Sequence, residues 1–72
     1  MGLRWTPERL DQLESAARQG RRVVLVRRGT EYVVVALRLV TEGHRESLVG
    51  RLPMTGSEME FALDDLEAFQ VL

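Results

Sequence analysis

Two runs rich in β-branched residues, 22–28 and 31–40, lie almost end to end, separated by Gly29-Thr30. So short a gap makes an antiparallel hairpin the natural way to pair them, and glycine first in a two-residue loop is what a type II′ turn requires. That turn sets a register in which Arg27 opposes Tyr32, Leu25 opposes Val34 and Val23 opposes Ala36. Side chains alternate between the faces of a strand. One face therefore collects Val24, Val26, Val33, Val35, Leu37 and Leu39, and the other Arg21, Val23, Leu25, Arg27, Tyr32, Val34, Ala36 and Arg38. The first is wholly apolar and is expected to form the core. The second is mixed and is expected to need partial cover by a helix, a neighbouring subunit or a ligand.

Upstream, residues 7–19 read as a helix. Thr6 can cap the free N–H groups of the first turn, and Pro7 occupies the first helical position, where its missing donor costs nothing. Gly20 ends the helix as a left-handed cap. Trp5 and Leu10 have the spacing of a hydrophobic staple, which predicts that the indole folds over the helix start. Leu10, Leu13 and Ala17, with Ala16 beside them, make a narrow apolar stripe, and Glu14 and Arg18 are spaced as an i,i+4 ion pair. Such a helix is a lid on a core formed elsewhere.

Downstream, 41–46 reads as a polar turn, 47–52 as a third strand ended by Pro53, and 54–57 as another turn. The last segment carries two patterns. Ser57 and Glu60 have capping-box spacing, and Met59, Leu63, Leu66 and Phe69 fit a helical stripe over 58–69. Met59, Phe61 and Leu63 also alternate with Glu58, Glu60 and Ala62, as in a half-buried strand. The strand reading gives strands at 58–63 and 69–72 around an Asp64-Asp65 turn. Residues 1–72 are then a single α+β domain, with one helix on a strongly twisted antiparallel sheet of four to five strands.

The order helix, strand, turn, long bent strand, strand, strand, tight turn, short strand resembles an SH3-like or Sm-like small barrel. More narrowly, the chain resembles the bacterial WYL domain over nearly its whole length. The residues carrying the resemblance are Arg22-Val23-Val24-Leu25-Val26, Ala36-Leu37-Arg38-Leu39, Leu48, and Phe61-Ala62-Leu63-Asp64-Asp65-Leu66. It implies barrel closure and the strand reading of 58–63. The family's Trp and Tyr fall on Glu46 and Ser47, and its closing arginines on Ala62 and Asp65. The side chains that would contact ligand or nucleic acid are thus replaced, and the resemblance is confined to the apolar skeleton.

Composition narrows the chemistry. With 72 residues, no cysteine and one histidine, the chain has room for one modest core and none of the Cys/His zinc patterns. It shows no apolar run near the roughly 20 residues of a membrane span, and its first residues lack the apolar core of a signal peptide. A cytoplasmic protein without membrane contact is expected. All ten basic residues are arginine, which reads as the codon bias of a GC-rich, bacterial genome. His44 lies in a Gly-His-Arg turn without the partners a metal or base would need. Asp64-Asp65 reads as a turn pair with a solvated acidic surround. A Ser-His-Asp set would have to draw on Ser15, Ser47 or Ser57, none in a nucleophile elbow, and phosphate-loop spacings are absent. Met1-Gly2 with Thr6 fits an acylation pattern, but Thr6 is explained as a cap.

No enzyme, cofactor or metal is therefore expected. The candidate binding face is Arg21, Arg27, Tyr32 and Arg38, with Arg27 and Tyr32 forming a cross-strand cation–π pair. The expected role is a small non-enzymatic module for protein–protein contact or self-association, as a homodimer or with another protein. The alternative is weak nucleic-acid binding through those four residues.

Overall fold

The computed structural model describes residues 2–72, so the Met1 of the acylation pattern lies outside it. Helix α1 spans Pro7–Gln19. Thr6 Oγ1 accepts from the Arg9 N–H at 3.2 Å, and Gly20, at φ 63°, closes the other end. There the Gly20 N–H bonds Ala17 O at 3.2 Å and the Arg21 N–H bonds Ala16 O at 2.9 Å, which is the Schellman pattern. Leu13, Ala16 and Ala17 are buried. The indole of Trp5 reaches further than a staple requires. Its Nε1 donates to Leu63 O at 2.8 Å and its ring stacks on Phe69 at 5.3 Å.

The five strands are β1 (Arg22–Arg27), β2 (Thr30–Glu42), β3 (Arg45–Arg51), β4 (Glu58–Ala62) and β5 (Leu66–Val71). They form one antiparallel sheet in the order β4-β3-β2-β1-β5. The helical reading of 58–69 is therefore replaced by a strand, a 3-10 turn at Leu63–Asp65 and a second strand. Burial decides this contest: pairing Met59 with Gly50 and Phe61 with Leu48 sends both β4 side chains to the core side, while Asp64 and Asp65 stay exposed in the turn. The last strand begins at Leu66, earlier than the expected 69. The β2–β3 connection is shorter than the expected 41–46, because Thr41 pairs with Glu46 and Glu42 with Arg45. Strands β4 and β5 are the two edges, so the sheet is open rather than closed into a barrel by its own ladder.

The hairpin differs from its expected form in two ways. First, the turn residues are Arg28 and Gly29, at φ 51° and 76°, and Arg27 opposes Thr30 while Leu25 opposes Tyr32. Two positive φ values define a type I′ turn, whose twist matches that of the strands. A left-handed arginine is disfavoured by roughly 1–2 kcal/mol, but the turn is anchored by the Gly29 N–H, which donates to Glu67 Oε1 at 2.7 Å. Glu67 is positioned for this by the bulge between β1 and β5. The register shift is by two residues, so the membership of each face in the paired region is unchanged.

Second, the faces are inverted with respect to the core. Val23, Leu25, Val34 and Ala36 are fully buried, packed with Leu13, Ala16, Leu48, Phe61, Leu63 and Leu66. The uniformly apolar face points outward, with Val33 44% exposed and Val24, Val26 and Val35 half-buried. Each arginine of the mixed face avoids the core differently. Arg21 lies before the strand in the helix cap. Arg27 is half-buried against aromatic rings. Arg38 is turned outward by a bulge at Leu37, because Ala36 pairs with Gly50 but Arg38 with Val49. The same bulge brings Leu39 against the core. Gly50 is required by close approach, since a Cβ there would lie 2.6 Å from Val34 Cγ2.

Candidate functional site

Arg21, Arg27, Tyr32 and Arg38 do not form one surface. Arg21 is exposed at the start of β1, where Nε and Nη2 donate to Leu72 O at 3.1 and 2.6 Å. Arg27 stands at the far end of that strand. Its Cζ lies 5.1 Å from the Tyr32 ring centre and 4.9 Å from that of Phe61, and the two rings meet edge to face at 5.3 Å. Arg27 and Tyr32 are thus brought together, as diagonal neighbours rather than directly opposed. Their guanidinium and rings are occupied with one another, which suits closing the core rim rather than offering a free stacking platform. Arg38 faces outward and pairs with Glu58 at 3.4 Å, both side chains more than half exposed. Such an ion pair contributes about 0–1 kcal/mol.

The concave regions do not assemble catalytic chemistry. A shallow hollow of about 200 Å³ is bordered by Trp5, Leu10, His44, Glu46, Leu63 and Asp64. It contains the histidine, but none of Ser15, Ser47 or Ser57 lines it. Ser47 is buried on β3. A wider groove of about 610 Å³ runs between α1 and β5, with Ala16, Phe69 and Val71 in its lining beside Asp11, Gln12, Ser15, Gln19, Arg21 and Gln70. Asp11 and Arg21 are its two charged groups. Among the described residues no three His, Cys, Asp or Glu side chains gather as a metal site, and no helix is long and apolar enough to cross a membrane.

The outer face of the hairpin is the feature that sequence reasoning misplaced. Across β1 and β2 it consists of three opposed pairs, Arg22 with Val35, Val24 with Val33, and Val26 with Glu31. Ala68 and Gln70 of β5 continue it beside Val26 and Val24, and Arg51 and Glu58 continue it beside Val35. Four valines thus lie together without a covering layer, because α1 packs against the opposite side of the sheet. Burial of apolar area is favourable at about 25 cal/mol per Å², so a contiguous apolar patch with a charged border has the composition of a contact surface. The signal was present in the sequence as an unbroken apolar stripe; its side of the sheet was not. The chain matches no protein-family model and no curated protein.

Proposed function

We propose that this chain is a small non-enzymatic interaction module whose outer valine face, Val24, Val26, Val33 and Val35, makes protein–protein contact. The observation that carries the reading is the 44% exposure of Val33 at the centre of that face. The contact surface is accordingly the opposite side of the sheet from the one the mixed residues suggested. The strand order, the long β2 and the 3-10 turn between β4 and β5 support an SH3-like or Sm-like small-barrel topology. They also support carrying the WYL resemblance as far as the apolar skeleton. The absence of cysteine suits a cytoplasmic setting. Nucleic-acid binding through Arg21, Arg27, Tyr32 and Arg38 is the weaker reading, because those side chains are dispersed and Arg27 is engaged with Tyr32 and Phe61.

The test is site-specific photo-crosslinking in the native cell. A photoreactive phenylalanine analogue at position 33, or at position 70 on the same face, is expected to give a discrete protein adduct. The same analogue at Met54, which is 97% exposed in the β3–β4 turn, is expected to give none. Absence of protein adducts at both face positions overturns the reading.

A further inference from the structure

We infer that the partner of the valine face is a second copy of this chain, docked face to face about a two-fold axis lying in the interface across the strands. The inference rests on the reading of that face as a contact surface and adds the identity and orientation of the occupant. The two ends of the valine patch carry opposite charge. At one end stand Arg22, opposite Val35, and Arg51, paired with Val35 on its other side. At the other stands Glu31, opposite Val26.

The charged groups around each end reinforce this polarity. Near the basic end Arg21 is engaged with Leu72 O and the acid there, Glu58, with Arg38, which leaves Arg22 and Arg51 to set the sign of that end. Around the hairpin end Arg28 shares a hollow with Asp64, Asp65 and Glu67, so that neighbourhood is acidic on balance. Arg22 and Glu31 are exposed, and neither takes part in an ion pair among the described residues.

A two-fold axis across the strands reverses the strand direction of the second copy. It lays the Arg22 end of each copy over the Glu31 end of the other and places valines on valines between them. The contact is therefore isologous and self-complementary, as a closed dimer requires. The opposite choice, an axis along the strands, would lay the Arg22–Arg51 end of one copy over the same end of the other, and like charges disfavour it. A standard interface takes about 800 Å² from each partner, roughly a sixth of the 4939 Å² that this chain exposes. One face of a molecule 29 × 26 × 24 Å across can supply it.

Sedimentation equilibrium on the purified full chain tests the inference. The native protein is expected to be a dimer at micromolar concentration. Arg22→Glu and Glu31→Arg are each expected to weaken dimerisation by about tenfold or more, and the double exchange to recover most of that loss, because the pair is then restored with reversed sign. Val33→Ser, which leaves both charges in place, is expected to weaken it comparably. Circular dichroism of each variant establishes that the fold is kept. A native protein that stays monomeric to millimolar concentration, or a double exchange no tighter than the single variants, overturns the dimer. If position 33 then crosslinks to a different protein in the cell, the contact-surface reading stands without this partner.

Discussion

The two sides of the β1–β2 hairpin differ in the opposite sense to their composition. The outward side presents four valines in one patch, whereas the inward side carries an arginine at each end of its apolar residues and is fully buried between them. Composition alone favours burying the uniform side, and chain connectivity overrules it. Helix α1 packs on the other side of the sheet, where Leu13 from the helix and Leu48 and Phe61 from β3 and β4 complete the core. A face is buried when other elements can reach it, and its polar ends are tolerated when each has somewhere to go.

The sharpest way to break this comparison is to truncate one residue on each side of β1. Leu25→Ala, in the fully buried side, is expected to lose about 2–5 kcal/mol of unfolding free energy. Val24→Ala, one residue away, is expected to lose less than about 1 kcal/mol. Urea denaturation on dilute protein, where self-association is suppressed, measures both, and equal losses would contradict the inversion of the faces. Next in size is Gly50→Ala. The added methyl meets Val34 at the β2–β3 approach and is expected to cost about 1–3 kcal/mol by overpacking, read as a lower denaturation midpoint.

Arg27→Ala tests whether the guanidinium closes the rim beside Tyr32 and Phe61. Loss of the cation–π contacts and of the stem is expected to cost about 1–2 kcal/mol, and Arg27→Met, which restores the apolar stem, should recover part of the thermal midpoint. Arg28→Asn is expected to raise stability by roughly 0.5–1 kcal/mol, because asparagine before Gly29 tolerates the left-handed conformation of a type I′ turn; a fall in melting temperature would argue against that turn. The smallest effect belongs to Arg38→Ala, expected to lie within about 0.5 kcal/mol because its ion pair is solvated.

What the sequence made legible was local. Thr6, Pro7 and Gly20 bracket α1 through contacts within a few residues, and the observed helix ends where they place it. Alternation sorted the paired hairpin residues into the right two sets, but over 58–69 it competed with a helical stripe, and the strand reading there came from the family resemblance. The parts not legible depend on distant residues. Gly29 fits a two-residue turn either as its first or its second residue, and the choice is tied to Glu67, which follows it by 38 positions. The bulge at Leu37 that separates Arg38 from Arg27 and Tyr32 exists in the pairing of β2 with β3 and leaves no mark on β2 alone. Arg38 stands apart from Arg27 and Tyr32 for that reason, and the valine face lies outward because alternation contains no information about which side of the sheet the helix covers.

Strand β5 has a consequence for the order in which the molecule assembles. The β1–β2 hairpin closes on itself across two residues. The β1–β5 ladder joins Val23 to Val71, and β5 has one strand neighbour where β1 has two. Closing so long a segment costs conformational entropy that the hairpin does not. Docking of β5 is thus expected to follow closure of the hairpin, and its release to cost less than opening the central strand β2. Amide hydrogen exchange should register this as weaker protection along Leu66–Val71 than along the centre of β2, with Trp5, stacked on Phe69, as the latch whose removal widens the gap.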